Sequence, residues 1–414
     1  MLIVSMLSCS APAADASDTW PQFLGPTGDG VSTAKGIVRS WSETENIVWK
    51  TPIHGRGWSC PIIRGDQVWL TTATKDGKKL YAICVDRESG KVIRDLKLFD
   101  VESPRKIHVL NTYASPTPVI EDGRVYVHFG SYGTACLDTK TAKVLWTRRD
   151  LPCHHWRGPG SSPILFGDLL IVHYDGFDYQ YVVAFDKKNG KTVWKTDRSN
   201  DFGGSDNGDH KKAYSTPTII EVSGKPQLIS AGSRAAMSYD PYTGVQLWNV
   251  EFRSFSSTAR PFFGHGMVYI NTGFGKADLI AVRPDGEGDV SKTHVEWTAR
   301  RGIGSKPSAV MVDDLIYVVT DKGGVVSCLE AKTGEQVWSH RIGGGQHSAS
   351  PIYVDGAIYF FSHDGPSHVI KAGREFELLH TNELDDGFMA SPAVAGKSLF
   401  LRTRTHLYRI EERQ

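Results

Sequence analysis

Asp186-Lys187-Lys188-Asn189-Gly190-Lys191-Thr192-Val193-Trp194, DKKNGKTVW, reads as an acid at the end of one strand, an Asn-Gly turn, and a second strand that ends on an indole. An acid followed eight positions later by tryptophan recurs from Asp138 to Trp146, from Asp240 to Trp248 and from Glu330 to Trp338. The unit returns every roughly 40 to 50 residues, the signature of a repeat architecture.

Working outward, each unit begins with a small polar residue beside proline and an apolar strand. Eight copies are present: Ser59-Cys60-Pro61, Ser115-Pro116-Thr117-Pro118, Ser161-Ser162-Pro163, Ser215-Thr216-Pro217, Ala259-Arg260-Pro261, Pro307-Ser308-Ala309, Ala349-Ser350-Pro351 and Ala390-Ser391-Pro392. A second strand with a central aromatic follows, as in Val68-Trp69-Leu70, Val125-Tyr126-Val127 and Ile316-Tyr317-Val318. The alternation marks strands. Four-stranded meanders repeated about a centre bury their faces only by stacking on one another. The last copy stops after three strands at His406–Ile410, and Asn46-Ile47-Val48-Trp49-Lys50 has the form of the missing fourth. The expectation is all-β: an eight-bladed β-propeller of four-stranded antiparallel blades, closed by pairing the N- and C-terminal strands in one blade.

The organisation expected is a secretion signal over residues 1–14, an N-terminal extension over 15–45 and the propeller over 46–414. Met1 to Ala14 is a short apolar run followed by small residues, without a basic start. Acylation of Cys9 is the weaker reading, because Met6-Leu7-Ser8 is a poor approach to a lipidated cysteine. No later apolar run approaches the roughly 20 residues of a membrane span. A formal net charge of +1 and no recurring basic stripe argue against nucleic acid. A periplasmic or otherwise exported location is expected.

The Asp186 to Trp194 segment resembles the tryptophan-docking repeat of PQQ-like propellers. Trp20-Pro21-Gln22-Phe23-Leu24-Gly25-Pro26 is similar to the start of exported members, and the resemblance spans residues 20–414. It implies the fold but not one activity, since the family holds quinoprotein dehydrogenases beside non-catalytic proteins such as the assembly lipoprotein BamB. For a dehydrogenase it implies PQQ with Ca²⁺, with Trp156, Arg260 and Asp206 or Asp209 taking the cofactor-holding parts. The adjacent Cys-Cys pair of the alcohol dehydrogenases is missing from this sequence.

In such a ring the loops joining blades share one face with the loops joining strands two and three. The opposite face carries short turns such as Arg64-Gly65-Asp66. The loop-rich face is the candidate ligand funnel. It collects Arg56, Trp58, His108, Asn111 and Tyr113 from the first two blade entries, and His155, Trp156 and Arg157 from the third. Asp206, Asp209, His210 and Lys212 precede blade four, and Arg260, Lys306, His347 and Asp386 belong to the later blades.

Several of these have plain structural readings. Cys84, Cys136 and Cys328 share a slot with Ala184 and Ser238 and read as small packing residues, as does Cys60 in the inner ring. The docking tryptophans read as core. Arg260 must find a partner, either a salt bridge to a neighbouring blade or a ligand. Cys153, His154 and His155 fall short of the three or four converging ligands zinc needs, with only His173 or Asp175 to complete the set. Asp206-Asn207-Gly208-Asp209 lacks the closing glutamate of a calcium loop.

The expected function is a non-catalytic binding or scaffolding module for a protein, peptide or glycan of the cell envelope, with no cofactor, no metal and no assigned catalytic residue. The alternatives are a PQQ-dependent dehydrogenase oxidising an alcohol or sugar, and a hydrolase or lyase using His108, His155, His210 or His347 as acid or base.

Overall fold

Each of the eight repeats folds into a four-stranded antiparallel meander, and the meanders stand around an axis as propeller blades. The computed structural model describes residues 16–199 and 205–412. The expected secretion signal and Cys9 lie outside the described residues. Blade 3 shows the plan: Ile164–Phe166 innermost, then Leu169–Asp175, Gln180–Asp186 and Thr192–Asp197 at the rim. In blade 8, Ala393–Ala395, Ser398–Arg402 and His406–Ile410 are completed by Ile47–Pro52, which pairs antiparallel with His406–Ile410. The ring is thus closed by the two ends of the chain.

The DKKNGKTVW stretch explains how blades are joined. The Asp186 carboxylate accepts the Lys188 amide at 2.7 Å, and Gly190 takes φ +72°, which completes the turn. A Cβ on Gly190 would stand 2.7 Å from the Trp146 ring of blade 2, and the Trp146 indole donates to the Lys187 carbonyl at 3.0 Å. The turn of one blade is therefore the socket for its neighbour's tryptophan. Trp49 donates to Arg87, Trp194 to Pro241 and Trp297 to Ala331 in the same way, each at 3.0 Å. Trp248 departs from the rule and bonds Gln227 inside its own blade at 2.9 Å; the outer strand of that blade is covered by Gly288–Asp289 from the next.

Around the axis the small polar residues form a nearly continuous hydrogen-bonded ring. Cys60 N–H donates to Thr117 Oγ1, Thr117 to Ser162 and Ser162 to Thr216, at 2.9, 2.9 and 3.0 Å. Arg260 N–H continues to Ser308, Ser308 to Ser350, Ser350 to Ser391, and Ser391 back to Cys60 Sγ. A side chain that can accept a hydrogen bond is needed at each inner blade entry, which is why Ser, Thr and Cys interchange there. Cys84, Cys136 and Cys328 are buried free thiols opposite Trp69, Tyr126 and Tyr317, small partners for large rings.

From Trp20 to Ser32 the N-terminal segment runs along the turn side of the ring. Trp20 exchanges backbone hydrogen bonds with Ile63, the Pro21 carbonyl accepts Ile120 N–H, and Val31–Ser32 pairs parallel with Tyr353 and Val354. Between these contacts Phe23 crosses the axis, and its carbonyl accepts Arg260 Nη1 at 2.6 Å. Arg260 Nε donates to Thr218 Oγ1 at 3.0 Å. The salt bridge to a neighbouring blade that the sequence suggested for Arg260 does not form among the described residues. Its guanidinium clamps the N-terminal segment instead, and burial pulls its pKa down to about 10.

Candidate functional site

The loop-rich face opens into a funnel of about 630 Å³. Its wall is built in layers. The lower layer is the inner ring, of which Cys60, Thr117, Ser162, Thr216, Ser350 and Ser391 line the cavity. Two residues earlier in each of the eight entries lies an upper layer, Trp58, Ser115, Gly160, Tyr214, Thr258, Lys306, Ser348 and Met389, all of it cavity-lining. A spacing of two returns an extended chain to the same face, so one ring dictates the other. Phe23 of the N-terminal segment also lines the funnel, and Leu110, Phe255 and Phe274 add apolar surface from the loops.

The third entry is anchored by a bidentate pair. Arg157 Nε and Nη2 donate to the two Asp209 oxygens at 2.5 and 2.8 Å, and Trp156 Nε1 adds a third bond at 2.8 Å. The Arg157 hydrogen bonds, with help from Trp156, hold the Asp209 carboxyl below the usual range despite partial burial. Asn111 Nδ2 fixes the loop by donating to the Arg157 and Pro159 carbonyls, both at 3.0 Å. His108, on the same wall, has its pKa lowered by burial and by Arg157. Across the ring, the Asp321 carboxylate accepts Ser305 and Lys306 N–H groups at 3.0 Å each.

Of the residues the sequence proposed, Trp58, His108, Asn111, Arg157, Asp209 and Lys306 therefore line one cavity. The others stand elsewhere. Arg56 lies over the Trp58 ring at 5.1 Å and donates to the Val109 carbonyl, supporting the rim from outside. Tyr113 is buried against Tyr132 and bonds the Arg105 carbonyl. Trp156 packs on Phe177, with its indole turned to Asp209. Asp206 is exposed outside the lining, and His210 meets Phe255 edge-on while bonding Ser205. Asp386 accepts Thr405 Oγ1 at 2.8 Å. His347 is fully buried with neither ring nitrogen hydrogen-bonded, and burial takes its pKa down to about 4.

His155 and Lys212 meet behind the funnel wall. Lys212 Nζ donates to the Asp175 carbonyl at 2.6 Å and lies 3.4 Å from His155 Nδ1, which is 3.6 Å from Cys153 Sγ. The buried Asp175 carboxylate is taken by Arg198 at 2.6 and 2.9 Å. A lysine ammonium thus sits against the thiol and imidazole that had suggested a metal, and the described residues contain no cluster of three ligands suited to one. Burial brings the Lys212 pKa down to about 8.

A family model described as outer membrane protein assembly factor BamB matches residues 34–221 and 178–414. The chain belongs to this family of PQQ-like propellers. Among curated proteins, tetrathionate hydrolase of Acidithiobacillus ferrooxidans is 22% identical over 84% of this chain and 73% of its own length. Among solved structures, BamB from Moraxella catarrhalis superposes with a TM-score of 0.62 at 13% identity, covering 89% of this chain and 98% of that one. A europium-containing methanol dehydrogenase reaches 0.63 at 12% identity, covering 92% and 89%. At these identities the structural likeness concerns the fold.

In this PQQ-like propeller the parts assigned to a quinone site do not converge. Trp156, Arg260 and Asp206 are not on the funnel wall, and Asp209, which is, already holds Arg157 and Trp156. The residues present do not fit the cofactor in that arrangement. Sequence reading missed Phe23, Thr258, Ser348, Met389, Asp321 and Lys322 as wall residues. Three of them, Thr258, Ser348 and Met389, were accessible to arithmetic, two positions before Arg260, Ser350 and Ser391.

Proposed function

We propose that the chain is an exported, non-catalytic binding module that holds a protein, peptide or glycan of the cell envelope in its funnel. The observation that carries this reading is the state of the funnel's carboxylates. Asp209 accepts three charged or polar donors and its pKa is lowered, whereas a general base is better served by a free lone pair and a pKa raised toward neutrality. Asp321 is occupied by its own loop. What remains open to a ligand is a rigid wall of hydroxyls, aromatic rings and a lysine. The BamB family match supports a binding role, and the small-residue run before Ala14 supports export.

The test against the dehydrogenase alternative is to add PQQ and Ca²⁺ to the purified chain and follow melting temperature and dye-linked oxidation of an alcohol and sugar panel. Binding without catalysis predicts neither a thermal shift nor turnover. Stoichiometric stabilisation by PQQ together with dye reduction would overturn the reading.

A further inference from the structure

The upper layer of the funnel is eight residues, one from each blade entry, seven of them with side chains, and only one of them is charged. That residue, Lys306, is half-buried, and its ammonium makes no hydrogen bond or ion pair among the described residues. Asp321 in the same wall attracts it through space but forms no ion-pair contact with it among the described residues. Its oxygens are taken by the Ser305 amide and hydroxyl and by the backbone N–H of Lys306 itself. The wall carries three basic side chains, Arg157, Lys306 and Lys322, against two carboxylates, and Arg157 is cancelled by its bidentate Asp209. The surplus positive charge therefore lies on the blade 6 side.

The surroundings specify the rest of the ligand. Ser162 Oγ, Thr216 Oγ1 and Ser350 Oγ each accept an amide from the neighbouring blade and donate no hydrogen bond among the described residues, so the lower layer offers O–H donors to a ligand's carbonyl or carboxylate oxygens. Tyr214 of blade 4 and Met389 of blade 8 face each other across the eightfold ring, and Trp58 stands on blade 1. Trp58 is pre-set by its bond to the Leu110 carbonyl at 3.2 Å and by Arg56 stacked on it. Beyond them Leu110 and Phe274 continue the apolar wall at the exposed rim, enough surface for residues flanking a central one.

Resting on the binding reading above, we propose that the occupant is an acidic peptide segment, with a Glu or Asp carboxylate seated on Lys306 and apolar neighbours against Trp58, Tyr214 and Met389. Charge complementarity selects it, and partial burial of the ammonium adds to that preference: burial already lowers the Lys306 pKa, and a carboxylate partner compensates the lost hydration. A charge-assisted bond in a partly dry cavity is also stronger than the same bond in water.

The test uses the full chain and two dye-labelled, end-capped tetrapeptides, Leu-Glu-Phe-Gly and Leu-Gln-Phe-Gly, read by fluorescence anisotropy with the wild type and Lys306→Gln. Because the ammonium makes no hydrogen bond or ion pair among the described residues, the variant is expected to stay within a few degrees of the wild-type melting temperature. The Glu peptide is expected to bind the wild type about tenfold tighter than the Gln peptide, and Lys306→Gln to erase that difference. Equal affinity of the two peptides for the wild type overturns the acidic selectivity while the binding reading stands. A preference that persists in Lys306→Gln overturns the anchor. Glutarate displacing the Glu peptide at the peptide's own affinity makes the ligand a small organic acid and overturns the peptide assignment, as does failure of both peptides to bind.

Discussion

Trp146 donates its indole N–H to the Lys187 carbonyl, one blade away, and lies on the face of Gly190 that carries no Cβ. Gly190→Ala therefore both strains a residue at φ +72° and pushes a methyl group into the indole. A loss of roughly 2 to 4 kcal/mol is expected in urea unfolding, from strain plus overpacking. Gly167→Ala is also at positive φ but meets nothing within 4 Å, so its loss should stay at about 1 kcal/mol. Equal losses would show that the indole socket contributes nothing.

The inner ring yields a graded series. Cys60→Ser keeps an acceptor for Ser391 N–H and should leave the melting temperature almost unchanged. Ser350→Ala strands the buried Ser308 N–H and should cost about 1 to 3 kcal/mol by urea unfolding. A neutral Ser350→Ala would mean that the ring is incidental to stability.

These two cases show what was legible in the chain. Tryptophan sockets and ring residues recur at fixed spacing, so blade number, closure and the identity of the loop-rich face could be read from periodicity. Contacts without a period could not. The Phe23 carbonyl meets Arg260 across 237 residues because the N-terminal segment crosses the axis, and Lys212 reaches His155 across 57 because consecutive blade entries pack side by side. Trp156 read as a rim indole that caps the barrel or contacts a ligand; Asp209, more than fifty residues later, captures it.

Arg260→Met should release the N-terminal segment rather than unfold the ring. The Phe23 carbonyl loses its donor, while Thr218 Oγ1 keeps its bond to the Pro261 carbonyl. Limited proteolysis is expected to cut between residues 19 and 32 in Arg260→Met at enzyme levels that spare the wild type. Unchanged resistance of that segment would mean that its strand pairings, not the guanidinium, hold it.

Lys212 gives a pH signature. Its folded pKa of about 8 lies below the unfolded value near 10.5, so between those values the unfolded chain binds more protons and stability rises with pH. Below pH 8 the cost of burying the ammonium is fully present. Cys153, whose thiol pKa is raised by burial, acts in the opposite direction above about pH 8.5, so the comparison must be wild type against Lys212→Met. The wild type should gain on Lys212→Met from pH 8 to 10.5, measured by urea unfolding; parallel curves would contradict a buried charged lysine.

The most direct test of the account is where a partner touches the ring in the cell envelope. A photo-crosslinking p-benzoylphenylalanine placed at Leu110 on the funnel rim is compared with one at Asn189 on the exposed turn of the opposite face. The account predicts discrete adducts from Leu110, reduced by Lys306→Gln, and none from Asn189. Adducts from Asn189 alone, or equally from both positions, would contradict a binding module that works through its funnel.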